Sequence, residues 1–461
     1  MKRSYFCHII ICALSAVFML AGCIEDGFET SPSSQPRFSV DTLDMGVQFA
    51  GRPSPTYAFT IHNPHSRQLC LSSVRLRSGE HFRINVDGMS AREFSDVEIR
   101  AKDSVYVFVE GTFPPSGLLG AQMVNDMIDV VTNGVTSSVV VAARCVDAVE
   151  LDGMTVGEDM RLTADRPYLV SDTLRVSRGA TLTIAAGASL LFHDKAALVV
   201  EGTLCAEGTA DAPVTMRGDR TGNVVADISF EVMSNQWEGV RFAEESAGNR
   251  LTHTQIINTC QGLMLDSLSD LTMINCRITN SGSVLVEARA ATLTVVGSEL
   301  SNARDALALL HSGSFLFDRC TLANWYLFAY PSLAIVEMTQ PDSIASFESV
   351  NSIIYGRGVP VGFGVDDPES LLEMPIRFRR CMFAVAGEDD ANFVDCIWEE
   401  DPALDYSLTD YVFEYVPMPE SPAIGAADSS LDSPLLPVTD FRGRRREDTL
   451  GAYAPVDNLS N

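Results

Sequence analysis

Lysine is almost missing from this 461-residue chain: beyond the first 22 residues only Lys102 and Lys195 occur, which excludes most amine chemistry. Positive charge is scarce in general. Lys and Arg number 33 against 61 Asp and Glu, a formal charge of −28, and phosphate contacts need clustered Lys and Arg, so nucleic acid is not an expected partner. The basic cluster Arg444-Arg445-Arg446 adjoins Glu447-Asp448 and reads as a solvated turn. Histidine numbers seven. His62-Asn-Pro-His65 has metal-like spacing, but its Asn-Pro marks a turn and no Cys or third His stands near; His193, His253 and His311 are isolated. No nucleophile-base constellation emerges, and no segment after the N-terminus looks transmembrane.

At the N-terminus Lys2 and Arg3 precede an apolar run from Tyr5 to Leu20, followed by Leu20-Ala21-Gly22-Cys23. This pattern reads as a secretory signal over residues 1–22. Leu-Ala-Gly-Cys resembles the lipobox of bacterial lipoproteins, which implies Cys23 as a lipidated first residue, anchored at about 0.8 kcal/mol per buried methylene. Loss of residues 1–22 removes Lys2 and Arg3 and no acid, leaving −30. By the same resemblance, Ile24 in place of Asp implies the outer membrane, and Glu25-Asp26 is similar to an acidic surface-export signal. Residues 23–36, with Ser31-Pro-Ser-Ser-Gln-Pro36, read as a flexible tether.

What the chain has in abundance is a repeat. Asn258, Asn280, Asn302 and Asn324 are spaced by 22 residues, preceded two positions earlier by Ile256, Ile278, Leu300 and Leu322 and four earlier by Thr254, Cys276, Ser298 and Cys320. A unit this short cannot bury its apolar face alone and must stack on copies of itself. The small and aliphatic residues alternate as on one side of a strand, so in a parallel ladder they stack about 4.8 Å apart. The asparagines suit left-handed corners, with amides expected to bond along the axis, a structural role. Upstream, Gly179-Ala-Thr-Leu-Thr-Ile184 is echoed by Gly187-Ala-Ser-Leu-Leu-Phe192, then Leu198-Val-Val200 and Gly202-Thr-Leu204: three short strands to a turn. Later, Ser352-Ile-Ile354, Cys381-Met-Phe383 and Cys396-Ile-Trp398 follow at 32, 29 and 15 residues, the longer intervals reading as inserted loops. Cys276 and Cys320, two coils apart, stand beyond disulfide reach and read as buried hydrophobes; Cys70 with Cys145 is the pair worth testing.

Residues 37–147 differ in texture. Tyr57-Ala-Phe-Thr-Ile61, Ser104-Val-Tyr-Val-Phe-Val109 and Val139-Val-Val141 lie between turn signals such as Asn63-Pro64, Asp87-Gly88 and Asn133-Gly134, predicting an immunoglobulin-like β-sandwich that acts as a spacer. The segments Phe82-Arg-Ile-Asn-Val-Asp-Gly88, Val200-Glu-Gly-Thr-Leu204 and Gln236-Trp-Glu-Gly239, with Ser421-Pro-Ala-Ile424, Asp440-Phe-Arg-Gly443, Arg446 and Leu450-Gly-Ala-Tyr453, resemble surface lipoproteins of gut-type Gram-negative anaerobes. That resemblance implies an all-β chain: the sandwich over 37–147, then a right-handed, single-stranded parallel β-helix of the pectate-lyase type with a C-terminal cap over 148–461. It transfers little activity.

A pectic hydrolase of this fold would carry Asn-Thr-Asp, Gly-His-Gly and Arg-Ile-Lys segments, which are absent. A calcium-dependent lyase needs carboxylates and a basic residue on one groove; Asp305, Asp318, Arg319 and Glu348 are the nearest material, with Asp366-Asp367 and Glu388-Asp389-Asp390 in loops. Trp325, Tyr326 and Trp398 could stack on sugar faces, and Trp237 reads as core. The expectation is a non-catalytic surface lipoprotein presenting its β-helix for adhesion or glycan binding, without a cofactor; a polysaccharide lyase or glycoside hydrolase acting on acidic polysaccharide, with Ca2+, is the alternative.

Overall fold

The computed structural model describes residues 27–225, 228–329, 333–365 and 368–456, and among these no α-helix occurs. The chain divides into two compact units, one ending at Asp147 and one beginning at Ala148.

In the N-terminal unit, period-2 alternation builds two sheets over one core. Along Ser104–Gly111, Val105, Val107 and Val109 face inward while Tyr106 and Phe108 face out. This strand pairs antiparallel with Tyr57–His62 and Phe82–Val86 in a five-stranded sheet. Gln122–Thr132 and Val135–Val146 anchor a six-stranded sheet, joined through Asn133-Gly134 with both residues at positive φ. The two sheets share a core that includes Ile61, Val107, Val74, Ile128 and Val141.

Residues 27–36 are not the loose tether that their composition predicts. Glu29 N–H donates to the Gln68 carbonyl at 2.8 Å, and Asn133 Nδ2 donates to the carbonyls of Ser31 and Ser34 at 3.0 Å, so these residues are fastened to the unit. Cys23 lies outside the described residues. Cys70 and Cys145 are free thiols; Cys70 points outward from its strand and Cys145 into the core, which keeps them apart.

The C-terminal unit is a parallel β-helix. One ten-stranded parallel sheet takes one strand from each turn, from Val149–Leu151 to Met382–Phe383, and a seventeen-stranded sheet forms the remaining sides. Ile256, Ile278, Leu300 and Leu322 are successive partners in the first sheet and are buried. Their column continues through Ile354 and Phe383, so the 32- and 29-residue intervals are coils with inserted loops. Even the 15-residue interval stacks: Ile397 bridges Met382 in parallel, and the Trp398 ring lies 4.6 Å from Phe383. Upstream, Thr181–Ala185, Ser189–Phe192, Ala197–Val200 and Thr203–Glu207 turn at Gly179 and Gly187, with φ of +80° and +78°. Gly202 is needed for space, since a Cβ there would strike the Ser177 and Ala180 carbonyls. Trp237 is core, stacked 4.0 Å from Phe192. Burial pushes the Cys276 thiol up to about 12, consistent with a small hydrophobe.

All four template asparagines are buried, and Asn258, Asn280 and Asn302 take φ of +70°, +62° and +58°. The expected amide-to-amide ladder does not form: Asn258, Asn280 and Asn302 bond to chain that passes outside the corners, and Asn324 to the backbone of the preceding coil. Asn258 Nδ2 donates to the Glu231 and Met233 carbonyls at 2.8 and 2.7 Å, and Asn280 Nδ2 to the Glu231 carbonyl at 2.8 Å. Asn302 Oδ1 accepts from the Tyr415 hydroxyl at 2.6 Å, while Asn324 Nδ2 donates to the Ala303 carbonyl at 3.0 Å. Residues 228–233 and the C-terminal segment bring these partners within reach, and a buried amide bonds what is nearest.

Candidate functional site

A second corner column runs one residue ahead of the small-residue positions. His253, Asn275, Gly297, Arg319, Asn351 and Arg380 all have positive φ, and the N–H of each donates to the following coil. Through the side chains of Asn275, Arg319, Asn351 and Arg380 and the Gly297 carbonyl, this column clamps the C-terminal segment across the outward face of the ten-stranded sheet. Arg319 Nε and Nη2 grip Asp432 at 2.8 Å, and Asn351 Nδ2 donates to the Asp428 carbonyl at 2.8 Å. Arg380 Nε donates to the Ala426 carbonyl at 2.7 Å. In return Arg446 reaches down to Asn275 Oδ1 and to the Gly297 carbonyl, and a Cβ at position 297 would collide with its guanidinium. Arg446 is therefore not part of a solvated turn: it is buried, and desolvation pulls its guanidinium down to about 10. This column was legible as the same 22-residue spacing, but its residue types differ too much to be noticed.

The end motif closes on itself. Asp440 Oδ1 accepts the Arg442 and Arg444 N–H groups and its Oδ2 that of Ala454, all at 2.9 Å. Beneath it the Tyr453 hydroxyl donates to the fully buried Glu299, which also meets Arg277 Nε at 3.3 Å and the Ser301 hydroxyl. Beside this network, Gln255, Arg277, Thr279, Asn302, Phe413 and Glu414 line a cavity of about 220 Å³.

The acids nominated for catalysis do not converge. Asp305 lies at the corner leaving the ten-stranded sheet, its Oδ2 accepting from the Ser283 hydroxyl at 2.9 Å. Asp318 sits at the opposite corner, buried, with Oδ2 accepting from Ser433 N–H at 2.7 Å; desolvation pushes its carboxyl up to about 6. Its neighbour Arg319 is committed to Asp432. Glu348 stands on the seventeen-stranded sheet, paired with Arg379 at 3.0 Å. The aromatic candidates are also engaged. Trp325 is half-buried against Tyr406 and Tyr355, with ring centroids 5.0 and 5.3 Å away. Tyr326 is buried, its hydroxyl 2.7 Å from that of Ser234, and so offers no bare ring face to a sugar. Trp398 Nε1 donates to Asp389 at 3.1 Å. Asp366 and Asp367 lie outside the described residues, and among the described residues no group of three or more His, Cys, Asp or Glu could hold a metal ion.

A groove of about 550 Å³ lies on the seventeen-stranded side, lined by Arg178, Glu201, Arg241, Asp266, Ser267 and Arg289. Each arginine is already matched: Arg178 to Glu245 at 2.7 Å, Arg241 to Asp266 at 2.8 Å, and Arg289 to Glu287. Such a lining can hydrogen-bond hydroxyl groups, and it is electrically balanced.

No curated protein matches the sequence. Among solved structures, a family 123 glycoside hydrolase from Clostridium perfringens, described for glycolipid glycan hydrolysis, overlaps 24% of this chain and 26% of its own, at 10% identity and a TM-score of 0.17, too little to bear on this protein. Residues 180–322 match the family model of the right-handed β-helix region, a stretch that contains the stacked column Ile256, Ile278, Leu300 and Leu322.

Proposed function

We propose that this chain is a non-catalytic lipoprotein, anchored in the outer membrane through Cys23 and exposed at the cell surface, whose right-handed β-helix is presented for adhesion or glycan binding. The N-terminal unit, with two sheets over one core, is read as an immunoglobulin-like β-sandwich. The observation that carries the reading is the dispersal of Asp305, Asp318 and Glu348 to two opposite corners and a separate sheet, each already bonded within the fold. A lyase or hydrolase needs acid and base on one groove, within reach of one bond.

The test incubates the purified chain with uronic-acid and neutral polysaccharides, reading retention on immobilised glycan together with unsaturated products and reducing ends. Retention without products is expected. Product formation that disappears in Asp305→Ala would overturn the reading in favour of the lyase or hydrolase.

A further inference from the structure

The outward face of the five-stranded sheet in the N-terminal unit carries two large rings where a solvated strand ordinarily carries polar groups. Tyr106 and Phe108 are 57% and 38% exposed, on alternate positions of Ser104–Gly111. Their rings lie nearly parallel, 16° apart, with centroids separated by 5.8 Å. Register keeps one flank low: Phe108 stands opposite Ala58 and Tyr106 opposite Thr60. The other flank is polar. Phe108 is opposite Asn85, which is opposite Ser90, and these with Arg83 and Glu110 line a cavity of about 300 Å³ beside the Phe108 ring. Asn85 Oδ1 is buried and has no hydrogen-bond partner. Arg83 Nε is spent on Glu110 at 2.7 Å, and Glu110 also accepts from the Thr56 hydroxyl at 2.5 Å, so the pocket holds no unbalanced cation for a polyanion.

We infer that Tyr106 and Phe108 form a stacking platform for a neutral glycan, the apolar face of a sugar ring lying against the rings while its hydroxyls meet the polar residues Asn85 and Ser90 that line the cavity. Two exposed, nearly parallel rings next to fixed polar groups suit a ligand that is apolar on one face and hydroxylated at its edge. A chain of −28 repels acidic polysaccharide, which favours the neutral class. This inference rests on the glycan-binding reading, but it moves the site from the β-helix to the unit read as a spacer.

The test measures binding of the full chain to immobilised glucan, galactan, xylan and polygalacturonate for the natural protein, Tyr106→Ala/Phe108→Ala and Tyr106→Phe. Both rings lie on the outward face, so the unfolding midpoint should fall only slightly and the chain should stay folded. The double variant should lose about tenfold or more in affinity for a neutral glycan, and Tyr106→Phe should retain it. Equal binding by the natural chain and the double variant would overturn the platform while leaving the glycan reading intact. Preference for polygalacturonate would overturn the neutral class, and no binding to any of the four would overturn the glycan reading and the platform together.

Discussion

The two outward faces of the β-helix stand on the same stack of inward side chains yet handle charge in opposite ways. On the ten-stranded sheet the C-terminal segment covers the face, and Glu299, Arg319 and Arg446 are buried there in tight bonds. On the seventeen-stranded sheet the Arg178–Glu245 pair is 59% exposed on both sides. Stacking alone therefore does not determine a face; what passes over it does. Under cover an unpaired charge costs several kcal/mol, whereas in water a pair is worth little, about 0–1 kcal/mol.

Arg446→Ala should break the comparison most severely. It strips donors from Asn275 Oδ1 and from the Gly297 and Ala452 carbonyls, all enclosed. At about 1–3 kcal/mol for each acceptor left without a partner, a loss of about 4 kcal/mol is expected in chemical denaturation of the C-terminal unit. A loss below about 1 kcal/mol would mean that the covering segment is not clamped through this residue.

Asp318 gives a smaller effect with a sign fixed by pH. Desolvation pushes its folded-state carboxyl up to about 6, with Asp432 raising it further and Arg319 and Arg446 opposing. The unfolded value is about 3.9, so the folded chain holds a proton that the unfolded chain has released. The resulting stability is fully present below about pH 4 and is lost as pH rises through about 6. Asp318→Asn should therefore be the more stable protein at pH 7 by about 2 kcal/mol, and the gap should close towards pH 4. A gap independent of pH would show that the carboxyl is not the source.

Much of the helix was readable because stacking demands like on like at one interval: Ile256, Ile278, Leu300 and Leu322 repeat a residue type as well as a spacing. The clamp column repeats only a backbone conformation. A left-handed corner accepts His253, Asn275, Gly297 or Arg319, and their types were chosen by the segment lying over each, more than a hundred residues away in sequence for Arg319 and Asp432. Separation in sequence also defeated the reading of Arg446, Trp325 and Tyr326, which are covered by chain arriving from elsewhere. Composition likewise could not show that Asn133 would fasten Ser31 and Ser34.

The smallest expected effect sharpens the comparison from its open side. Arg241 and Asp266 meet at 2.8 Å, but the arginine side chain is 59% exposed and the carboxylate 24%. Geometry alone would suggest a strong pair; solvent screening and the entropy of holding a long side chain argue for a weak one. A double-mutant cycle of Arg241→Ala and Asp266→Ala should give a coupling of about 0.5 kcal/mol, shrinking further in 1 M salt. Coupling above about 2 kcal/mol that resists salt would mean that the groove is shielded from water as the opposite face is. The contrast between the two faces would then lie in their pairing rather than in their cover.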